Sequence, residues 1–266
     1  MNVAQNPLTS AITGEVPLPR APLIRVIAQV RFPQVLSIEK RDFVAPFQEA
    51  IRSRYPVLRP EKTQAFLVGQ GGASQMPPQT TWRFTDVGGA WKVSLAPDFI
   101  ALETTAYESR EDFFARLQEL ARALAEHVGP EISDRVGVRY VDRVTGDAVD
   151  RIGELVRPEI LGIVATPLVK RAQHALSDNL FTVSEGAAQL HARWGQLPIG
   201  GTTDPAAIDP LDEPSWILDL DMFRGEGRKF DADQIVAEAR SYAERIYTFF
   251  RWAVTKEFLR QYGGDV

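Results

Sequence analysis

One long amphipathic helix at the C-terminal end constrains the fold of this chain more than any other feature. Between Asp231 and Leu259, apolar side chains recur at steps of three and four residues, which places them on one face of a helix. They are Ile235, Ala239, Tyr242, Ile246, Phe249 and Ala253, with a second row at Val236, Ala243, Phe250 and Val254. Aromatic residues widen this stripe toward the end, so a helix of this kind has to be enclosed by other elements.

Two successive segments show the same order of predicted elements. In residues 23–130, a strand from Leu23 to Phe32 precedes a helix, three strands and a second helix. Residues 131–266 repeat this order and end with the C-terminal helix. Residues 1–22 are rich in proline, cannot pair inside a sheet, and are predicted to form an extended or disordered lead-in, with about the first ten residues disordered.

The remaining predicted elements have these bounds. In the first repeat they are a helix at 39–54 capped by Ser37, strands at 63–69, 80–87 and 91–105, the last with a break near Pro97-Asp98, and a helix at 109–128. In the second repeat they are a strand at 134–144, a helix at 150–160, strands at 170–183, 187–195 and 216–224, and the helix at 231–259. Two loops are predicted, a long one at 196–214 and a shorter one at 69–78.

Local sequence similarity supports an internal duplication. The stretch Val30-Arg31-Phe32 corresponds to Val138-Arg139-Tyr140, and Trp91 to Leu95 corresponds to Trp216 to Leu220, each as a last strand before a long helix. The alternative is that alternating strands match by chance. We predict an α+β fold in which two such repeats place their first strands side by side at the centre of a curved antiparallel sheet that packs against the helices. This topology is similar to saddle and helix-grip folds, and the likeness implies no function.

Composition excludes several classes of protein. The chain has no cysteine, which removes disulfides, thiolate nucleophiles and cysteine-bound metals. Its net charge is −5 and its pI about 5.4, so broad binding to nucleic acid or to an anionic membrane is not favoured. No apolar run is long enough to span a bilayer and no leader pattern is present, which predicts a cytoplasmic protein. The sequence indicates no cofactor.

Arginine forms the most suggestive cluster. Arg135, Arg139 and Arg143 lie on one face of the strand at 134–144, and Arg25 and Arg31 lie on the matching face of the first strand. If the two strands are adjacent, these guanidinium groups can bind a carboxylate or a phosphate. The alternative is that acids of neighbouring strands, Asp219 and Asp221 among them, form ion pairs with the arginines.

Other candidate sites carry weaker signals. Asp219 and Asp221 share a strand face and, with Asp142 or Asp98, could hold a divalent cation, but no dense acidic loop accompanies them. A catalytic triad would need His174 or His191 beside a serine such as Ser177 and an acid such as Asp178, which are commonplace residues. The glycines at 69–72 lack the context of a phosphate-binding loop. The sequence therefore predicts neither a metal site nor a catalytic residue.

Several segments are familiar as a set. They are Pro214 to Asp221, Phe249 to Thr255 and Phe258 to Gly264, together with Pro22-Leu23 and Gly137 to Tyr140. With these segments the chain resembles, over nearly its whole length, a sporadically distributed bacterial family of uncharacterised proteins. The resemblance implies a bacterial, cytoplasmic protein with an accessory distribution. Since that family has no established activity, the resemblance implies no catalytic residue.

Three functions follow from these observations. The first is a non-enzymatic module that binds a protein or peptide through the open sheet face and the 196–214 loop, with self-association suggested by the large apolar area of the last helix. The second is a binder of a small anionic ligand, or an enzyme, that uses Arg31, Arg135, Arg139 and Arg143 with Asp219 nearby. The third is nucleic-acid binding by the same face, which the acidic net charge opposes. An unpaired arginine would favour the second, and exposed apolar side chains beside the arginines would favour the first.

Overall fold

The chain is an α+β protein built on a large antiparallel sheet, as seen in a computed structural model that describes residues 6–63, 66–69, 72–75, 79–183 and 188–265. The strands are β1 (Leu23–Arg31), β2 (Val57–Thr63), β3 (Phe66–Gly69), β4 (Gly72–Gln75), β5 (Gln79–Thr85), β6 (Trp91–Ala96), β7 (Phe99–Thr104), β8 (Ile132–Ser133), β9 (Arg135–Val144), β10 (Ala175–Thr182), β11 (Ala188–Leu197), β12 (Ser215–Arg224) and β13 (Arg228–Lys229).

The helices are of very different lengths. They are α1 (Arg41–Ile51), α2 (Arg110–His127), α3 (Asp147–Asp150), α4 (Ile152–Leu155), α5 (Pro158–Leu161), α6 (Ala232–Ala253) and α7 (Lys256–Gln261). Short 3-10 helices lie at Leu36–Glu39, Gly162–Ala165 and Pro167–Arg171. Within the described ranges, none of these helices is long and apolar enough to cross a bilayer.

Nine strands pair in the order β10-β11-β12-β9-β1-β7-β6-β5-β2. The two first strands of the predicted repeats, β1 and β9, are neighbours in the middle of this order, which confirms that part of the prediction. Two small sheets, β3-β4 and β8-β13, complete the pairing among the described residues.

Contacts between residues divide the chain into two compact units. The first unit comprises residues 1–26, 138–224 and 240–266, and the second comprises residues 27–137 and 225–239. The division passes through β1, β9 and α6, so each unit contains part of these elements.

The core of the second unit is aromatic. Phe47 of α1 and Phe84 of β5 contact each other edge to face at 5.8 Å between ring centroids, and both are buried. Helix α2 begins where the Ser109 side chain accepts a hydrogen bond from the Asp112 backbone N–H at 3.1 Å, as its sequence predicts. It ends at His127, and Gly129 two residues further on has a φ of +65°, which suits a helix terminus.

The core of the first unit lies between its strands and the C-terminal helices. Phe249 of α6 contacts Trp194 of β11 and Phe181 of β10, with centroid distances of 6.3 and 6.1 Å. The predicted stripe of the last helix is buried within this chain. The expectation that its apolar area exceeds what one copy can cover is therefore wrong, and this argument for self-association falls away.

The predicted single helix at 231–259 is interrupted. Its start is confirmed, since Asp231 accepts a hydrogen bond from the Gln234 backbone N–H at 3.0 Å. However, α6 ends at Ala253 because the Thr255 N–H donates to the Leu155 carbonyl at 2.9 Å instead of continuing the helix. The Thr255 hydroxyl then caps α7 by accepting from the Phe258 N–H at 3.2 Å.

The predicted helix at 150–160 is also wrong, because α3, α4 and α5 are single turns. The residue before Pro158 is disfavoured in a helix, and the Arg157 N–H donates to the Ala253 carbonyl at 3.0 Å. Val156 forms an isolated bridge with Val254. Contact with the end of α6 therefore replaces the local helix.

Several predictions for residues 36–104 need correction. Ser37 is not a cap, because it lies in a 3-10 helix and α1 begins at Arg41. Strand β2 was missed because Pro60 and its charged neighbours are atypical of a strand. The predicted strand at 91–105 is the β6-β7 hairpin, turning at Pro97-Asp98. The segment Trp91 to Leu95 is therefore not the last strand before α2, and its correspondence to Trp216 to Leu220 is wrong.

The shorter predicted loop and the lead-in differ from expectation as well. Within 69–78, residues 72–75 form β4 against β3, and residues 70–71 and 76–78 lie outside the described residues. The prediction of disorder is wrong for residues 6–10, where Arg245 donates to the carbonyls of Pro7 and Ser10 at 3.0 and 2.7 Å. Residues 1–5 lie outside the described residues.

Candidate functional site

A network of arginine and aspartate lies on one face of the first unit's strands. Arg139 of β9 forms a bidentate pair with Asp219 of β12, with Nε to Oδ1 at 2.7 Å and Nη2 to Oδ2 at 2.8 Å. Arg193 of β11, which is directly opposite Asp219 in the register, donates to Oδ2 at 3.1 and 2.6 Å. The Asp219 side chain is 1% exposed. Both carboxylate oxygens of Asp219 therefore accept hydrogen bonds from arginine, and Asp219 is an arginine partner rather than a metal ligand.

A second carboxylate completes the pairing of Arg139. Asp204, in the loop after β11, accepts from Arg139 Nη1 at 2.6 Å. Although burial by itself lowers the pKa of Arg139, hydrogen bonds and charge from Asp219 and Asp204 outweigh it and raise that pKa. Burial raises the pKa of Asp204, but the hydrogen bond and charge of Arg139 outweigh it, so that pKa is lowered. Arg139 and Asp204 are therefore charged at neutral pH.

The segment 198–214, referred to here as the covering loop, packs onto this face. It has no helix or strand, as predicted. The Arg25 side chain donates to the Ala206 carbonyl at 3.3 Å and to the Asp209 carboxylate at 3.4 Å. Inside the loop, the Thr202 hydroxyl donates to the Ile208 carbonyl at 2.6 Å, and Ile208 is buried. The covering loop is thus held by the arginines predicted to bind a ligand or partner.

Arg143 is the deepest arginine beneath the covering loop. It is 6% exposed, its Nε donates to the Ser215 hydroxyl at 3.0 Å, and its Nη1 donates to the Asp209 carbonyl. Its Nη2 is buried and has no hydrogen-bond partner in the described part of the chain. Burial lowers the pKa of the Arg143 guanidinium, and the charges of Asp209 and Glu213 offset this only in part.

The other predicted site residues are placed differently. Arg31 and Arg135 belong to the second unit, where Arg31 pairs with Asp98 and Arg135 donates to the Gln29 side chain at 3.2 Å. Asp221 is directly opposite His191 in the register of β11 and β12. The structure therefore places Arg25, Arg139, Arg143, Asp219 and Asp221 in the first unit and does not include Arg31 or Arg135 there.

Two important residues, Arg193 and Asp204, were not predicted. The signal for Arg193 was available, because alternation along β11 places it on the polar face with His191. Asp204 lies in an irregular loop, where no periodicity indicates the direction of a side chain. Asp142, a candidate metal ligand, alternates with Arg143 along β9 and so lies on the opposite face from Asp219.

The histidine on this face has one acidic partner. His191 Nε2 lies 2.6 Å from Asp178 Oδ1 of β10. Ser177 is not part of this pair, because it precedes Asp178 on the strand and lies opposite Trp194 on the other face. Among the described residues, His191 has no hydroxyl partner, and no group of three or more histidine, aspartate or glutamate side chains is arranged to hold a metal ion.

Exposed leucines flank Asp178 on β10. Leu176 and Leu180 are 42% and 60% exposed, and the strand alternates between half-buried and exposed residues along its length. At its start β10 approaches β11 closely: a Cβ on Gly195 would lie 1.9 Å from the Ala175 carbonyl oxygen. Gly195 has a φ of +142° and permits this contact.

Comparison with known proteins adds no functional assignment. No protein-family model matches the sequence, and no curated protein sequence is significantly similar to it. The resemblance to a bacterial family therefore stays a prediction, and the geometry described above carries the functional argument.

Proposed function

We propose that this protein is a non-enzymatic binding module that recognises an extended segment of a partner protein by adding it as a strand to β10. The observation that carries the proposal is an unprotected sheet edge with exposed apolar side chains. β10 is an edge strand of the nine-stranded sheet and, in the described part of the chain, pairs only with β11. An unpaired edge offers backbone donors and acceptors to an incoming strand.

The composition of β10 supports this role. Soluble proteins usually protect an edge strand with lysine, proline or a bulge. Residues 175–182 contain neither proline nor a basic residue, and the register with β11 runs without a bulge from Ala175 to Thr182. The other edge strand, β2, contains Pro60 and three charged residues. The contrast favours β10 as the edge that is kept open for a partner.

The side chains on the exposed face define the partner's chemistry. Directly opposed residues of paired strands interact on the same face of a sheet. Leu176 and Leu180 therefore favour apolar partner residues, and Asp178, whose side chain is 65% exposed, favours a basic residue between them. The expected partner segment is extended. It has a basic residue, with one apolar residue two positions before it and another two positions after it.

A second copy of this chain fits the same edge less well. A twofold antiparallel pairing centred on Asp178 would oppose two carboxylates, and one centred on Asn179 would oppose Asp178 to Leu180. A register centred on Leu180 avoids both conflicts but pairs only residues 178–182 of β10. Like charges placed opposite each other are destabilising, so we favour a partner of different sequence.

Two other functions receive less support. Nucleic-acid binding by the arginine face would need free guanidinium groups, whereas Arg139 and Arg193 are paired with aspartate. Catalysis by His191 would need a nucleophile beside it, and Asp178 is its hydrogen-bond partner among the described residues.

We further propose that the chain arose by duplication. The orders β9-β12-β11-β10 and β1-β7-β6-β5 correspond to each other. Each begins with the first strand of a predicted repeat, and its other three strands follow in the reverse of their order along the chain. The likeness to saddle and helix-grip folds stays a prediction.

A random-peptide display selection tests the binding proposal. We expect enrichment of peptides with the apolar, basic, apolar pattern, at least tenfold weaker binding by Leu180→Lys, and a preference for acidic peptides in Asp178→Lys. Val87→Lys, at an exposed turn residue of the second unit, is the matched control and should behave as the wild type. Enrichment unaffected by Leu180→Lys would refute the proposal. A native mass spectrum showing a dimer that Leu180→Lys dissociates would instead assign the edge to a second copy.

A further inference from the structure

We propose that Arg143 is the central donor of a binding site for a small carboxylate, enclosed by β9, the start of β12 and the covering loop. This inference does not depend on strand addition at β10. It rests on a buried guanidinium group whose Nη2 nitrogen has no acceptor among the described residues.

One nitrogen of the Arg143 guanidinium group has no acceptor in the described part of the chain. Two of its three nitrogens are occupied, Nε by the hydroxyl of the fully buried Ser215 and Nη1 by the carbonyl of Asp209. The third, Nη2, is buried and unfilled. No carboxylate of the described chain lies within ion-pair distance of this guanidinium group. A carboxylate oxygen at Nη2 would supply both the missing acceptor and the missing charge.

A comparison with the neighbouring arginines strengthens the argument. Arg139 and Arg193 on the same face are held by Asp219, and Arg139 also by Asp204. Arg143 is more deeply buried than either, yet it has only neutral partners. An arginine cannot lose its proton in a protein, so burial without a counter-charge is costly. An anion from solution is the simplest source of that charge.

The surrounding acids restrict the class of anion. Asp209 and Glu213 lie close enough to influence the charge of Arg143, and Asp212 is a third acid on the same loop. Their negative charge disfavours phosphate and other multivalent anions. Nη2 has no acceptor among the described residues, and Asp209 and Glu213 offset the positive charge only in part, which matches a single carboxylate. The covering loop contacts Arg143 through the Asp209 carbonyl, and its residues at 209, 210 and 212–214 are exposed.

Thermal unfolding in the presence of formate or acetate tests the site. Each salt is titrated against sodium chloride at constant ionic strength, with phosphate as a second comparison. We expect a saturable increase in Tm with the carboxylates in the wild type, no such increase with phosphate, and at least a tenfold loss of apparent affinity in Arg143→Gln. An equal response in Arg143→Gln, or no saturable response in the wild type, would mean that water alone occupies Nη2 and would overturn the proposal.

A second variant keeps the test decisive if Arg143→Gln does not fold. Glu213 lies on the exposed part of the loop and contributes negative charge near Arg143, so Glu213→Gln should tighten carboxylate binding by about two- to fivefold. A merely structural effect of this change would weaken binding or leave it unaltered. Either of those results would contradict the proposed site.

Discussion

Two buried aspartates on neighbouring strands of the first unit have opposite electrostatic surroundings. Asp219 on β12 accepts hydrogen bonds from Arg139 and Arg193. Asp142 on β9 lies on the other sheet face, is 8% exposed, and has no hydrogen bond or ion pair within the described ranges. Burial raises the pKa of the Asp142 carboxyl to about 7. Two arginines thus pair with one of these buried carboxylates, whereas burial without such a partner raises the pKa of the other.

The largest expected effect comes from removing the partnered aspartate. Asp219→Ala leaves Arg139 and Arg193 buried beside an empty position, so we expect the free energy of unfolding to fall by about 3–5 kcal/mol. Urea unfolding followed by circular dichroism measures this change. Asp212→Ala, on the exposed part of the covering loop, is the control and should alter stability by less than about 0.5 kcal/mol. A loss of less than about 1 kcal/mol in Asp219→Ala would show that the arginine network contributes little.

Asp142, the unpartnered aspartate, should make the folded protein less stable as the pH rises. Because the pKa of Asp142 rises from 3.8 in the unfolded chain to about 7 in the folded one, the folded state holds this proton more tightly. Its contribution to stability is fully present below about pH 4 and is lost as the pH rises to about 7, a loss of at most about 4 kcal/mol. We expect Asp142→Asn to remove this dependence and to be more stable than the wild type above pH 7.

Urea unfolding at pH 5 and pH 8 distinguishes the wild type from Asp142→Asn. The charge of Asp142 also contributes, after burial, to the raised pKa of Tyr262. An ultraviolet titration of tyrosine should therefore show the Tyr262 pKa shifted toward its ordinary value in Asp142→Asn. If stability changed equally with pH in both proteins, Asp142 would not be the titrating group.

A smaller effect is expected where the network reaches the covering loop. Asp204→Asn keeps an oxygen for the Ala206 N–H but removes the charge that pairs with Arg139. We expect a loss of about 1–2 kcal/mol and faster amide exchange in residues 198–214. Since the pKa of Asp204 is lowered, its contribution is present above about pH 4 and is lost as the pH falls through the folded-state pKa.

Hydrogen exchange measured by mass spectrometry at pH 7 checks this prediction, because it resolves the covering loop from the strands. Exchange in β11 and β12 should be unchanged, which provides an internal control. Unchanged exchange in the covering loop would show that its contacts with Arg25 and Arg143 hold it without Asp204.

The elements that the sequence predicts well are those with long, regular periodicity. Strand β1, helix α2, strands β9 and β12 and the start of α6 agree with prediction within two residues. The two failed helix predictions have a common cause in tertiary contact. The last helix divides at Thr255 because its backbone bonds to Leu155, and the predicted helix at 150–160 is broken by contact with the same helix end. Such long-range competition leaves no local signal.

The candidate site was predictable to a similar extent. Alternation along β9 places Arg139 and Arg143 on one face, and the long loop was recognised from its prolines and glycines. Alternation also places Leu176 and Leu180 on one side of β10. It does not reveal that this strand lies at an edge, because strand order depends on pairing between distant segments.

The sequence by itself determined that this is an α+β chain, which faces of its strands are polar, and that arginine and aspartate share one of those faces. Periodicity fixes these properties, because side chains alternate along every strand and recur along every helix. Only the tertiary structure decided that Asp219 pairs with two arginines and, within the described ranges, that Arg143 Nη2 has no acceptor and that β10 pairs only with β11. Those properties depend on which distant residues meet, and contact across the fold rather than local pattern sets the partner of each charge.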